Sequence, residues 1–280
     1  MKKRSPLFVP NLFESEKLIP MGKELHGTYV AAHPFPHIVI DQFMQADILE
    51  QALCEFPHPD PSSFYSYDNP LEKKLAFDQI LKLPPTIREI LIQMNSPCFL
   101  RFLEELTGIE GLIPDPYYRG CGIHSVERNG KLDIHLDFNK HKKLGLSRKL
   151  NLILYLNKNW SESFGGSLEL WSALKKNGEW VLNKCERKIL PLFNRLIVFA
   201  CTEQSFHGHP EPLNCPSDWS RKAIMTAYYI SPLTTKDKGK PHSTVYMKRP
   251  NDPVDEKLEA LRKNRSYGRL VSNIENQLTS

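Results

Sequence analysis

From about residue 117 onward the chain breaks into short apolar runs closed by turn residues, and this limits the fold more than any other feature. The runs are GKLDIHLDF (130–138), KLNLILYLN (149–157), GGSLELW (165–171), EWVLNK (179–184), LPLFNRLIVFA (190–200) and RKAIMTAYYIS (221–231). Segments of this length and spacing read as strands, and strands must pair to satisfy their backbone groups. A sandwich or barrel is therefore expected.

The part before it reads differently. PFPHIVIDQF (34–43) alternates around Ile38, Val39 and Ile40 and predicts a first strand. QADILEQALCEF (45–56) sets Ile48, Leu49, Leu53 and Phe56 at helical spacing. PTIREILIQMNSPCFLRFLEELTGI (85–109) predicts two helices broken near Asn95-Ser96-Pro97, since Pro97 cannot continue the first. Residues 57–70 predict a turn-rich loop carrying Phe64, Tyr65 and Tyr67. Residues 1–33, with Pro6, Pro10 and Pro20, predict a polar, irregular extension. After 249, Val254, Leu258 and Leu261, then Leu270, Val271, Ile274 and Leu278, predict a helical tail. The expected organisation is an extension (1–33), a domain (34–248) with a helical front (44–110) and a β core (about 117–232), and a tail (249–280) packing on it. The class is mostly β with flanking helices, α+β.

Composition excludes several roles. No apolar run reaches the about 18 residues of a membrane span. The opening MKKRSPLFVPNLFESEK is basic, but Ser5, Pro6, Pro10, Asn11 and Glu14 break any signal-type apolar stretch, so a cytoplasmic location is expected. Cys54, Cys98, Cys121, Cys185, Cys201 and Cys215 include no C-x-x-C pair, which argues against a zinc ribbon and for reduced thiols. A net charge of +5 is too weak for a nucleic-acid footprint. The basic runs KHKK (140–143) and KDKGK (236–240) read as solvated loops.

The chemistry begins at HLD (135–137). With 10 histidines and 32 acidic residues, roughly one His-x-acid match arises by chance, so the tripeptide alone decides nothing. On a strand, however, residues two apart face the same way, so Asp133, His135 and Asp137 share one face and Leu132, Ile134 and Leu136 the other. A third ligand is then expected from a distant strand end, and TEQSFHGHPEPL (202–213) offers His207 and His209. Two imidazoles and one carboxylate make the facial triad of non-haem iron(II) oxygenases, with positions left for a bidentate cosubstrate and O₂. 2-Oxoglutarate needs a cation for its far carboxylate, and an arginine fork suits it. Arg221 opens the last strand, with Lys222 on the opposite face.

The ordered set His135-x-Asp137, His207 and Arg221 resembles the Fe(II)/2-oxoglutarate dioxygenase superfamily, in its prolyl 4-hydroxylase-like bacterial branch. NLILYLN (151–157) followed by GGSLELW (165–171), FNRLIVFACTEQSFHGHPEPL (193–213) and PFPHIVIDQF (34–43) extend the likeness over about 34–231. The resemblance implies a double-stranded β-helix, a jelly-roll or cupin-like core, with iron at its mouth. It implies that His135, Asp137 and His207 bind iron, His207 rather than His209, and that Arg221 binds the far carboxylate. Collagen-type relatives carry a tyrosine three residues before the first iron histidine, where this chain has Leu132; Tyr155 is expected to take over its hydrogen bond to the cosubstrate. Related halogenases lack the carboxylate ligand, so Asp137 favours hydroxylation.

The implied cofactors are Fe(II), 2-oxoglutarate and O₂, with ascorbate supporting turnover and succinate and CO₂ as co-products. The substrate is expected to be a peptidyl residue, prolyl among them, or another bulky molecule; a small-molecule hydroxylase and a non-catalytic ligand-binding jelly roll are the alternatives. An open cleft bordered by 57–70, 139–147 and 211–220 is expected. His124 is expected to face solvent, and Asn151 to be a polar residue at a sheet edge.

Overall fold

The structure is a computed structural model and describes residues 11–58, 60, 63–233 and 241–266. Residues 1–10, the KDKGK run and the tail positions Leu270, Val271, Ile274 and Leu278 lie outside the described residues. Along the chain run α1 (Ser15–Ala31), β1 (His37–Asp41), α2 (Ala46–Glu55), β2 (Tyr65–Asn69), β3 (Glu72–Phe77), α3 (Pro85–Met94), α4 (Pro97–Thr107), β4 (Ile113–Pro114), β5 (Gly122–Glu127) and β6 (Lys131–Leu136). β7 (Ser147–Tyr155), β8 (Leu168–Lys176), β9 (Glu179–Ile189), β10 (Arg195–Ala200), β11 (Phe206–His209), β12 (Ser220–Ile230), β13 (Val245–Tyr246) and α5 (Glu256–Ser266) follow.

The strands form one curled antiparallel sheet in the order β1-β10-β7-β12-β5-β3-β6-β11-β8-β9, with β2 on β3, β4 on β12 and β13 on β6. Alternation along β7 and β10 places the layers. Leu150, Leu152, Leu154, Leu196 and Val198 face outward into a core shared with Phe99, Phe102 and Leu103 of α4 and Ile87 and Ile90 of α3. Ile153, Tyr155, Ile197 and Phe199 face inward, onto Leu168 and Leu170 of β8 and Ala223 of β12. Both faces of these strands are covered, which is why NLILYLN and RLIVFA read as nearly unbroken apolar runs.

The helix break at 95–97 has a local cause. Pro97 opens α4, the Ser96 hydroxyl accepts from the Phe99 amide, and Gly108 closes the helix in the left-handed region at φ 71°. At the far hairpin, Asn177 and Gly178 both have positive φ (50° and 86°), the turn that joins β8 to β9.

Three expectations are corrected. Residues 15–31, read as irregular, form α1, whose Gly22 lies so close to α4 that a Cβ there would sit 2.7 Å from the Phe102 carbonyl oxygen. Residues 65–69, read as loop, pair with 72–77 as the hairpin β2–β3, and Phe64 is buried. The tail helix is tied down by charge rather than by an apolar stripe. Val254 is exposed, whereas Arg262 reaches Asp133 at 3.4 Å and Arg265 reaches Glu72 at 2.6 Å.

Candidate metal centre

β6 carries His135, Asp137 follows its end, and β11 sets His207 directly opposite His135 in register. The two imidazole centroids are 4.5 Å apart. His135 Nε2 lies 3.6 Å from Asp137 Oδ1, and His207 Nε2 lies 3.6 Å from Asp137 Oδ2. One ligand atom from each residue falls within 4.8 Å of the others, a grouping able to hold a metal ion. Both histidines are oriented by the same device. Nδ1 of His135 donates to the carbonyl of Asp133 (2.9 Å), and Nδ1 of His207 donates to the carbonyl of Ser205 (2.8 Å). Each bond to the carbonyl two residues earlier puts the proton on Nδ1 and leaves the Nε2 lone pair for a metal.

His209 stays outside the group. The β11–β6 register shifts between His207 and His209, and His209 comes to lie opposite Leu132, buried with no partner for Nδ1 among the described residues. Asp133 does not join either; its carboxylate is engaged with Lys131 and Arg262.

Charge at the centre is balanced from within the protein. Asp137 accepts from Asn151 Nδ2 and lies 3.6 Å from the buried Arg148 guanidinium. Burial acts to raise the Asp137 pKa, but Arg148 and the two histidines hold it well below the usual carboxylate range. Burial, with the neighbouring His135, pushes His207 down to about 4, so the imidazole is neutral at neutral pH and ready to ligate. Asn151 was expected at a sheet edge; it is an inward residue of β7, which lies between β10 and β12.

Deeper in the barrel, Arg221 is only 5% exposed. Its Nε donates to the Gly166 carbonyl at 2.8 Å, and a terminal nitrogen donates to the Tyr155 hydroxyl at 2.6 Å. The guanidinium stands 4.8 Å from the Tyr155 ring centroid. Among the described residues no carboxylate pairs with it. Gly166, at φ 73°, is required here: a Cβ would lie 3.0 Å from Arg221 Cδ and 2.7 Å from Leu213 Cδ2. Lys222 points the other way, toward Phe56.

His124 was expected to face solvent and does not. It lines up with Ala223 and Tyr155 across β5, β12 and β7, is buried, and has no partner for Nε2 among the described residues.

A cavity of about 430 Å³ opens beside the triad, lined by Asp137, His207, Phe138, Arg148, Thr202 and His242 among others. The expected borders are corrected. Residues 57–70 line a separate hollow through Pro57, Ser63 and Phe64. Trp219, in 211–220, packs on Trp160 and Phe164. Of the expected 139–147 segment, only Asn139 lines the cavity.

Residues 121–230 match the 2OG-Fe(II) oxygenase superfamily. The chain is similar to a 2OG-Fe(II) oxygenase over that segment. It is 25% identical over 242 residues to prolyl 3-hydroxylase OGFOD1 of Xenopus laevis, a match covering 85% of this chain and 43% of that protein. The chain thus spans less than half the length of this curated relative. Its fold is similar to that of a Trichoplax adhaerens prolyl hydroxylase solved with a peptide fragment of the hypoxia inducible factor oxygen degradation domain. That likeness has TM-score 0.55 at 17% identity and covers 79% of this chain and 96% of the other. It is also similar to a Phytophthora capsici prolyl 4-hydroxylase, with TM-score 0.53 at 18% identity over 97% and 81% of the two chains. The curled sheet is therefore the jelly-roll core of these oxygenases. No helix among the described residues is long and apolar enough to cross a membrane.

Members of this superfamily use Fe(II), 2-oxoglutarate and O₂, and the residues present fit both bound groups. Two imidazoles, each with its Nε2 turned to the same point, and a carboxylate held well below the usual range suit Fe(II). A buried guanidinium without an anionic partner suits the far end of a dicarboxylate.

Proposed function

We propose that this protein is an Fe(II)- and 2-oxoglutarate-dependent hydroxylase acting on a prolyl residue within a peptide or protein segment. The observation that carries the reading is the convergence of His135, Asp137 and His207 beside an open cavity, with Arg221 buried at the other end of the chamber. His135, Asp137 and His207 hold the iron. Arg221, braced by Gly166 and Tyr155, would hold the far carboxylate of 2-oxoglutarate through charge-assisted hydrogen bonds. Ile153, Phe199, Leu168 and Leu170 wall the chamber with apolar surface and keep water from the reacting groups. Bound iron, with 2-oxoglutarate as reductant, supplies the activation of O₂ that puts one oxygen into a C–H bond and yields succinate and CO₂.

The choice of a peptidyl substrate is supported by the prolyl 3-hydroxylase relative and by the cavity, whose about 430 Å³ suits one residue of a longer chain. Ascorbate is expected to sustain turnover by keeping iron reduced. The test is succinate release from 2-oxoglutarate with and without Fe(II), followed by mass spectrometry of prolyl peptides and free amino acids. A gain of one oxygen on peptidyl proline is expected. Oxygen insertion only into a free small molecule would overturn the substrate assignment. Absence of any Fe(II)-dependent succinate would overturn the enzyme itself.

A further inference from the structure

Asp137 is held from behind by two residues that no metal would touch. Asn151 donates through Nδ2 to Asp137 Oδ2, and its Oδ1 accepts two hydrogen bonds from Arg148, the one from Nε at 2.9 Å. The Arg148 guanidinium rests 4.5 Å from the Phe138 ring centroid. Arg148 and Asn151 are three apart, and on a regular strand they would face opposite ways. Here Leu150 pairs with Tyr228 and Arg148 with Tyr229, so Lys149 is an extra residue, a β-bulge. The bulge turns Arg148 to the side of Asn151 and so to the metal centre.

The chemistry of the three side chains admits one arrangement. A carboxylate only accepts, a guanidinium only donates, and an amide does both. Arg148 therefore fixes which end of the Asn151 amide points at it, and the other end must present its N–H to Asp137. The terminal torsion of an aspartate is otherwise broad. With Oδ2 engaged, the carboxylate plane is set so that Oδ1 and Oδ2 each stand 3.6 Å from one imidazole Nε2.

We propose that Asn151 and Arg148 are positioning residues for the metal. Asn151 sets the rotation of the Asp137 carboxylate, and Arg148 sets the amide of Asn151. This rests on the reading of His135, Asp137 and His207 as the iron ligands. Removing such a partner of a ligand costs about tenfold to a hundredfold in metal affinity.

The test is Mn(II) affinity by calorimetry in wild type, Asn151→Leu and Arg148→Lys. Asn151→Leu removes the donor at nearly the same volume, and its Mn(II) dissociation constant is expected to rise about tenfold or more. Arg148→Lys keeps the charge but not the fork, and is expected to fall between that variant and wild type. The dissociation constant for 2-oxoglutarate, measured at saturating Mn(II), is expected to stay within about twofold in both, which a general loss of packing would not allow. The visible absorption of the Co(II)-loaded variants is expected to differ from wild type, reporting a changed ligand field.

Wild-type Mn(II) affinity in Asn151→Leu overturns the proposal. If that variant does not fold, Arg148→Lys decides it by the same measurement, and wild-type affinity there overturns it. A wild-type protein that binds no Mn(II) overturns the iron-site reading, and this proposal with it.

Discussion

The two ends of the chamber are built to opposite electrical plans. At the metal end, the anion Asp137 is matched by a buried cation, Arg148, through the amide of Asn151. At the other end, the cation Arg221 has, among the described residues, only neutral partners, the Tyr155 hydroxyl and the Gly166 carbonyl. A buried charge with no opposite charge is costly, so it persists where something outside the fold repays it. The matched end is arranged for a cation that exchanges one set of neighbours for another. The unmatched end is arranged for an anion that is not part of the chain. On the proposed reading, the asymmetry distinguishes the two groups that the site would bind.

The largest test of this contrast is Asp137→Ala. It is expected to abolish Fe(II)-dependent succinate release. It is also expected to lower the stability of the ligand-free protein by about 3 kcal/mol, because Arg148 and Asn151 lose their acceptor in a buried site. A urea midpoint unchanged from wild type would mean the metal end is not internally matched.

Arg221→Met should behave in the opposite way. The swap keeps most of the volume and deletes a buried charge that no carboxylate among the described residues balances, so ligand-free stability is expected to hold or rise. Affinity for 2-oxoglutarate is expected to fall about tenfold to a hundredfold, the worth of a charge-assisted bond of about 1.5–3 kcal/mol. Mn(II) affinity is expected to remain. Calorimetric titrations of both ligands check this, and unchanged 2-oxoglutarate affinity would move the carboxylate site elsewhere.

The effect that is smallest at neutral pH appears in acid. Burial, then the charges of Lys74 and Arg221, push His124 down to about 3, from an ordinary value of 6.5. Below pH 6.5 the unfolded chain takes up a proton that the folded chain refuses until about pH 3, so ligand-free stability falls as pH falls through that window. The slope from one histidine is at most about 1.4 kcal/mol per pH unit. Urea midpoints at several pH values are expected to show a shallower acid limb in His124→Gln, and an unchanged limb would place His124 in a less buried setting.

Much of the site is legible in the sequence because its chemistry obeys simple spacings. His135 and Asp137 are two apart on a strand, and Arg221 and Ala223 follow the same rule. Proline and serine at 96–97 announce the helix break. What stayed hidden breaks these rules. Strand β2 and the first half of β3 are written in Tyr, Ser, Asp, Asn, Glu and Lys, and the buried Glu72 of β3 is neutralised by Lys74 and Arg265. Helix α1 contains Pro20, and its apolar stripe of Leu18, Met21, Leu25 and Tyr29 is interrupted by Gly22, where it meets α4 most closely. Arg148 and Asn151 are three apart, and only a bulge makes them neighbours. Pattern reading assumes regular strands, and the centre of this site is where the strand is irregular.

The pairing of β6 bears on the order in which the site is made. One edge of this strand is shared by two elements from opposite ends of the chain. β3 pairs with Lys131 and Leu132, and β13 pairs with His135 and Leu136. The Met247 amide adds a bond to the Ile134 carbonyl, and the Tyr246 ring centroid lies 5.6 Å from that of His135. A chain leaving the ribosome presents its N-terminal part first, so the helical front and the strands through β12 are available to fold before residues 245–247 emerge. Among the described strands, the ladder around the first histidine is therefore closed last, about 110 residues after His135 and about 40 after His207 in the order of synthesis.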